Sequence, residues 1–484
     1  MRSTVISFAV LAACACGPLE PAAAATLHRY TASVDPKLES IEVRACFDGP
    51  APSRLVASRA ATGALARIPR VDGSAGAVRR LHGELRLEDL SDDACILYAT
   101  RLRDVIEREG RWRTAGGEII TSADDWLWRP RELPEDADIE IAFVTAEGMS
   151  VSAPWPLIER VSGRSVYRVG HTSRYWPARV AFGDFDIDTI EVPGARLHLA
   201  LLRGIGQADH DAVRRWLGEA ATAVSTLYGR FPLDSAQILV LPASRSGEPV
   251  PWAQVLRGGG ASAHFFINAV ASEAELRSDW TAAHELSHML MPYIDRDDAW
   301  LSEGFASYFQ NVLRARAGLL SAAEAWQKLD QGFQRGIDGT VEGRSLREAS
   351  GSMNRDHAYM RVYWSGAAIA LMADVRLRQQ SDNRQSLGTA LEALGTCCLP
   401  GTRTWSAHEL FLELDELTGT DVFSDLYARY ADARKFPDLR AVYAQLGLVG
   451  SADRLRLEPD APMAGVRDAI MSAPQKLANG KHPQ

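Results

Sequence analysis

Two histidines four residues apart, in His284-Glu285-Leu286-Ser287-His288, can act together only if the chain between them is helical. On a helix, positions i and i+4 lie on the same face one turn apart. Two imidazoles so placed can grip one zinc ion, and the Glu between them then stands beside the metal as a base. The run Trp300-Leu301-Ser302-Glu303-Gly304 follows shortly, and its pattern predicts a second helix carrying Glu303. Glu303 would be the third ligand. Three protein ligands leave one position open for water, which is the arrangement of a catalytic zinc site.

Histidine is scarce here, 11 residues in 484, which gives the paired arrangement weight. The plain alternative is a helix whose surface happens to carry two histidines. The plain reading of Glu303 alone is an exposed acid near a helix N-terminus, where the dipole favours it. The chemistry that fits all three is hydrolysis. A catalytic zinc lowers the pKa of water toward about 7. Glu285 accepts the water proton and passes it to a leaving amine. A donor must also meet the developing oxyanion. Tyr363, at the head of an apolar helical stretch, can be that donor, or it can be a core or boundary aromatic. Tyr359 and His357 are weaker choices for the same role.

The chain is long enough for two or three domains. Its net charge is -9, and no basic tract points to nucleic acid. The N-terminus reads as an export signal: Arg2, an apolar core from Val5 to Ala13, and small residues Ala22 to Ala25. Leu11-Ala12-Ala13-Cys14 also fits a lipoprotein signal with Cys14 acylated, so any membrane attachment is expected only through that lipid. Either way the protein is expected outside the cytoplasm, periplasmic or extracellular. In an oxidising compartment, Cys46 and Cys95 form a reasonable disulfide, whereas the adjacent Cys397 and Cys398 can be bridged or free.

Residues 26–195 read as β, with Ile41, Val43 and Ala45 alternating against Glu42 and Arg44. Further strands are expected over 139–144, 165–169 and 178–182. The pattern changes near Leu197. Strands at 197–202, 237–241 and 261–267 flank a helix over 209–228, and helices dominate from Asp279 onward. The segment 451–484 reads as a polar tail.

The stretch from Trp300 to Phe309, running on to Leu319, resembles the glycyl aminopeptidase family of the gluzincin clan, which includes aminopeptidase N and thermolysin. Ser345-Leu346 with Ser350, Tyr363 to Arg376, and Leu417-Thr418-Gly419-Thr420-Asp421 leading to Tyr427 extend the resemblance. The resemblance implies that His284, His288 and Glu303 bind zinc, that Glu285 is the base and that Tyr363 is the transition-state donor. It implies a multidomain α+β fold, with an N-terminal β-sandwich over 26–195 and a thermolysin-like catalytic domain over 196–450, mostly helical in its C-terminal half.

Three departures stand out. Only 14 residues separate His288 from Glu303, fewer than such families usually show. The family's substrate-binding edge strand would correspond to Gly258-Gly259-Gly260-Ala261-Ser262-Ala263-His264, which makes Gly259, Gly260 and Ala261 the expected peptide-pairing residues. That stretch lacks the acid that captures a free N-terminus, and no C-terminal PDZ domain follows. At Ser307, one turn after Glu303, thermolysin-like proteins often carry a carboxylate that orients a His ligand. The expectation is therefore an exported peptidase with one zinc per chain, acting on peptides or proteins. It is aminopeptidase-like by resemblance. The alternatives are an endopeptidase of the same clan and a zinc-binding scaffold without turnover.

Overall fold

A computed structural model describes residues 27–473, apart from short stretches at 68, 74–75, 107–111, 115, 134–137, 170–177, 204–209, 244–246, 342, 400, 402 and 452–453. The expected export signal and Cys14 lie outside the described residues.

The N-terminal part is sheet-rich, as its alternating sequence requires. In a seven-stranded sheet, the strand Leu27–Val34 lies between Ser40–Phe47 and Asp138–Val144. Cys46 faces Cys95 across an antiparallel pair, and the two form a disulfide. Two four-stranded sheets share an apolar core with this sheet, built around Tyr30, Trp126, Trp128 and Phe143. One of the small sheets uses both its faces. Ile119, Val180 and Phe182 point into that core, while Ile120 and Ala181 point into a second cluster with Ala200, Leu239 and Leu241. Period-two alternation thus lets one sheet join the two halves of the molecule.

The second half begins earlier than residue 196. The strand Asp186–Val192 pairs with Ala195–Leu201, so the hairpin between them belongs to one five-stranded sheet. Its order places Asp186–Val192 at one edge, then Ala195–Leu201, Ser235–Ala243, Ser262–Asn268, and finally Trp252–Leu256 at the other edge. The helix His210–Ser225 makes the parallel crossover between the second and third of these strands. After residue 280 the chain is nearly all helix. The motif helix Thr281–Ser287 tightens to a 3-10 turn over His288–Leu290. The glutamate helix Ala299–Arg316 and the long helix Tyr359–Ser381 pack closely on each other.

Local chemistry sets these ends. Asp298 makes no side-chain cap at the start of the glutamate helix. Ser350 Oγ instead accepts from Trp300 N at 3.2 Å, satisfying a first-turn donor. Gly318, in the left-handed region, stops the same helix: its N–H reaches Ala315 O while Leu319 N reaches Arg314 O. Deeper in, Tyr308 donates to Asp374 at 2.8 Å and Arg378 pairs with the same carboxylate at 2.9 Å, which ties the two helices together.

The expected polar tail is ordered in part. Residues Ala464–Met471 form a helix whose Val466, Ile470 and Met471 enter the main core, and Arg316 Nε donates to Ile470 O. Spacing of i, i+4 and i+5 in a short segment was enough to bury one face. Cys397 and Cys398, at the end of helix Leu387–Cys398, are bonded to each other. Among the described residues, no helix is long and apolar enough to cross a membrane.

Candidate active site

The motif helix is buried on the side that carries both imidazoles, His284 being 3% and His288 6% exposed. The glutamate helix runs past it and delivers Glu303 between them. Glu303 Oε2 lies 3.2 Å from His284 Nε2 and 3.5 Å from His288 Nε2. The donor atoms of His284, His288 and Glu303 all lie within 4.8 Å of one another. The short link between the two helices therefore leaves the ligand set intact.

The outer ring nitrogens fix the orientation of each imidazole. His284 Nδ1 lies 2.8 Å from Gln310 Oε1, and His288 Nδ1 lies 3.1 Å from Ser302 Oγ. An acceptor at Nδ1 holds the proton there and turns the Nε2 lone pair inward, which is how protein partners prepare histidine for metal. With both Nε2 atoms and one carboxylate oxygen converging, the donor set is that of a three-ligand zinc site. Gln310, two turns beyond Glu303, therefore orients His284. Ser307 does not: it is buried, and its carbonyl accepts from Asn311.

Burial would raise the Glu303 carboxyl, but the His288 charge and hydrogen bonds from both imidazoles outweigh it and hold it well below the usual range. Burial would lower His284, yet its hydrogen bond to Glu303 and the nearby Glu285 carry it above its ordinary value. Glu285 is raised, chiefly by burial, with the two histidine charges opposing. A raised carboxyl is the better proton acceptor, and a catalytic base needs this.

Tyr363 lies beside the same cluster. Its ring is nearly parallel to that of His284, at 11° with centroids 5.9 Å apart, and its hydroxyl donates to Glu303. Burial and the neighbouring carboxylates hold its proton far above the ordinary phenol value. It remains a donor throughout the useful pH range. His357 and Tyr359 stand behind it as an aromatic row, with Tyr359 at right angles to Tyr363.

The expected peptide-pairing residues fall elsewhere. Gly259, Gly260 and Ala261 are not on a strand. They form the turn between Trp252–Leu256 and Ser262–Asn268. Gly259 and Gly260 have φ of 81° and 134°, which is why glycine stands there. Their backbone is covered by the N-terminal half: Trp155 Nε1 donates to Gly259 O at 2.7 Å, and Pro154 sits against Gly260. The open edge is the strand Trp252–Leu256, beside the motif helix.

Arg257 follows that strand directly. Its Nη1 donates to the carbonyls of His288, Met291 and Pro292, and its guanidinium lies over Tyr293. Burial lowers it to about 10, against the pull of Tyr293, Glu303 and Glu285, so it is charged at neutral pH. A cavity of about 490 Å³ opens alongside, lined by Trp155, Arg257, Gly259, Met289, Met291 and Tyr293 among others. His264, the other histidine of this region, is fully buried and lines no cleft.

With this geometry in hand, the chain can be set beside known proteins. No curated protein matches it in sequence. Among solved structures it is similar to an aminopeptidase N family protein from Idiomarina loihiensis. That match has a TM-score of 0.64 at 15% identity, covering 87% of this chain and 78% of the other. It is also similar to an M1 zinc metallopeptidase from Deinococcus radiodurans, with a TM-score of 0.54 at 16% identity, covering 86% and 94%. A two-domain M1 zinc metallopeptidase mutant bound to L-tryptophan aligns equally well, with a TM-score of 0.54 at 15% identity, covering 86% and 95%. At such identities the likeness is one of fold. Residues 291–370, which contain Glu303 and Tyr363, match the M61 glycyl aminopeptidase family. The resemblance carried by the glutamate helix thus stands over that stretch: residues 291–370 are similar to the M61 glycyl aminopeptidases, on a fold shared with M1 metallopeptidases.

Proposed function

We propose that this protein is an exported zinc metallopeptidase, aminopeptidase-like, with a thermolysin-like catalytic half and one zinc ion per chain. It acts on peptides or proteins. The observation that carries the reading is the convergence of His284, His288 and Glu303 within 4.8 Å, each histidine already oriented for metal by a partner on its far nitrogen. The bound zinc supplies Lewis acidity to water and to the scissile carbonyl. Glu285 takes the proton of the attacking water and delivers it to the leaving nitrogen. Tyr363 donates a hydrogen bond to the oxyanion. The edge strand Trp252–Leu256 offers backbone pairing to an extended peptide. A scaffold without turnover would need neither Glu285 nor Tyr363 in these positions.

Export rests on the apolar N-terminal segment ahead of Ala25, with the Cys46–Cys95 disulfide as the matching redox signature. Any lipid anchor would be at Cys14.

A second reading, endopeptidase, is favoured by Arg257. A free α-amine needs a carboxylate to receive it, and the end of the edge strand carries a buried cation instead. Free and N-blocked peptides of the same sequence, assayed in parallel, separate the two. Cleavage confined to free N-termini supports an aminopeptidase. Robust cleavage of blocked peptides establishes the endopeptidase, and no cleavage of either overturns the peptidase reading.

A further inference from the structure

The edge strand is tied to the N-terminal half by one continuous chain of hydrogen bonds. Gln254, on the edge strand, lies with Nε2 3.2 Å from His264 Nδ1. His264 Nε2 lies 2.8 Å from Ser262 Oγ. Ser262 Oγ donates to Gln237 Oε1 at 2.6 Å, and Gln237 Nε2 donates to Ser152 Oγ at 3.0 Å. Ser152 belongs to the short strand Ser150–Ser152 of the N-terminal half. The chain therefore crosses three strands of the five-stranded sheet and ends in the other half of the molecule.

With the amides of Gln237 and Gln254 as placed, the donors and acceptors run in one order. Ser262 spends its proton on Gln237, so it must accept from His264 Nε2. His264 Nδ1, facing the Gln254 amide nitrogen, must then accept. Both ends require the same neutral tautomer, protonated on Nε2. Four residues of the chain, Ser152, Gln237, Ser262 and His264, are buried. The three links among these four cannot be replaced by bulk water, so breaking one strands its neighbours.

We infer that His264 is a positioning residue: through this chain it sets the pose of the edge strand against the motif helix, and thus how well an extended peptide is held. The inference rests on the peptidase reading and goes beyond it, because it makes the N-terminal half a determinant of substrate affinity. The alternating side chains of the edge strand show how. Gln254 faces the hydrogen-bonded chain, while Ala253 and Val255 pack on the core that includes the motif helix. A twist at Gln254 moves the backbone that faces substrate without touching the zinc ligands.

The test uses the full-length enzyme loaded with zinc and two substrates, an aminoacyl anilide and a peptide long enough to run along the edge strand. Ser152→Ala and His264→Phe should each raise KM for the long peptide about five- to tenfold, the loss of one or two hydrogen bonds. For both variants kcat on the anilide and zinc content should stay within about twofold of wild type. Ser152→Thr, which keeps the hydroxyl, should restore the wild-type KM. The inference is overturned if KM for the long peptide is unchanged in both variants. It is also overturned if kcat, KM and zinc content all degrade together, which is the signature of a merely structural role. If wild type cleaves neither substrate, it is the peptidase reading that has failed.

Discussion

Gly304 and Gly366 meet back to back where the glutamate helix crosses the long helix. A Cβ on Gly304 would overlap the Gly366 backbone, and one on Gly366 would overlap the Trp300 carbonyl. Glu303 is the neighbour of the first glycine, and Tyr363 stands one turn before the second. Backbone-to-backbone approach at this crossing is what brings the carboxylate and the phenol to the same point.

Gly366→Ala should therefore be severe although the site is a plain helix interior. The usual gain from replacing a helical glycine, up to about 1 kcal/mol, is opposed by overpacking of about 3 kcal/mol or more. The helices must part, so thermal unfolding should come earlier and bound zinc should fall. A variant with wild-type melting and full zinc would show that the crossing does not need its glycines.

Gln310→Leu removes the acceptor of His284 Nδ1 while keeping volume. Loss of such partners typically weakens metal binding about 10–100-fold. Competition with a chelator of known affinity should show that loss with little change in fold. An unchanged affinity would mean that the ring is held by packing against Trp280 and Tyr363 alone.

The zinc-free chain should have a characteristic stability profile. His284 is raised above its ordinary 6.5 in the folded state, so its contribution is complete below 6.5 and is lost as pH rises through the folded value. Glu303 is lowered from its ordinary 4.5, so its contribution is complete above 4.5 and is lost as pH falls through the folded value. Both act together between those limits, where denaturant midpoints of the zinc-free chain should peak. Replacing Glu303 with Gln should flatten the alkaline side of the peak. With zinc added, protons compete for His284, and affinity should weaken on acidification. A zinc-free profile that rises steadily through neutral pH would contradict the pairing.

The convergence of His284, His288 and Glu303 was legible because it is written in fixed spacings: i, i+4 on one helix, and a carboxylate on the next. The long helix and the glutamate helix followed from apolar periodicity and start and stop residues. The turn at Gly258–Ala261 departs from the expected strand because a glycine run serves a tight turn and a close-packed strand alike. Only the positive φ at Gly259 and Gly260 and the contacts of Trp155 and Pro154 separate the two. Gln310 lay two turns from Glu303 on the same face and could have been found, but a carboxylate was expected at Ser307. The hairpin that opens the five-stranded sheet was partly readable, since Ile190-Glu191-Val192 alternates, but Ile187 falls on the opposite face and breaks the period. What no pattern could supply is the hydrogen-bonded chain from Gln254 to Ser152, whose members are spread over about a hundred residues and meet only through sheet register.

The most direct test of the central claim is Glu285→Gln, assayed for zinc and for hydrolysis in the same preparation. The substitution keeps shape and removes only the base, which general acid–base catalysis values at about 10²–10⁴ in rate. The account predicts one zinc per chain, an unaltered fold and a loss of that order in kcat. Full zinc with undiminished peptide hydrolysis would contradict it.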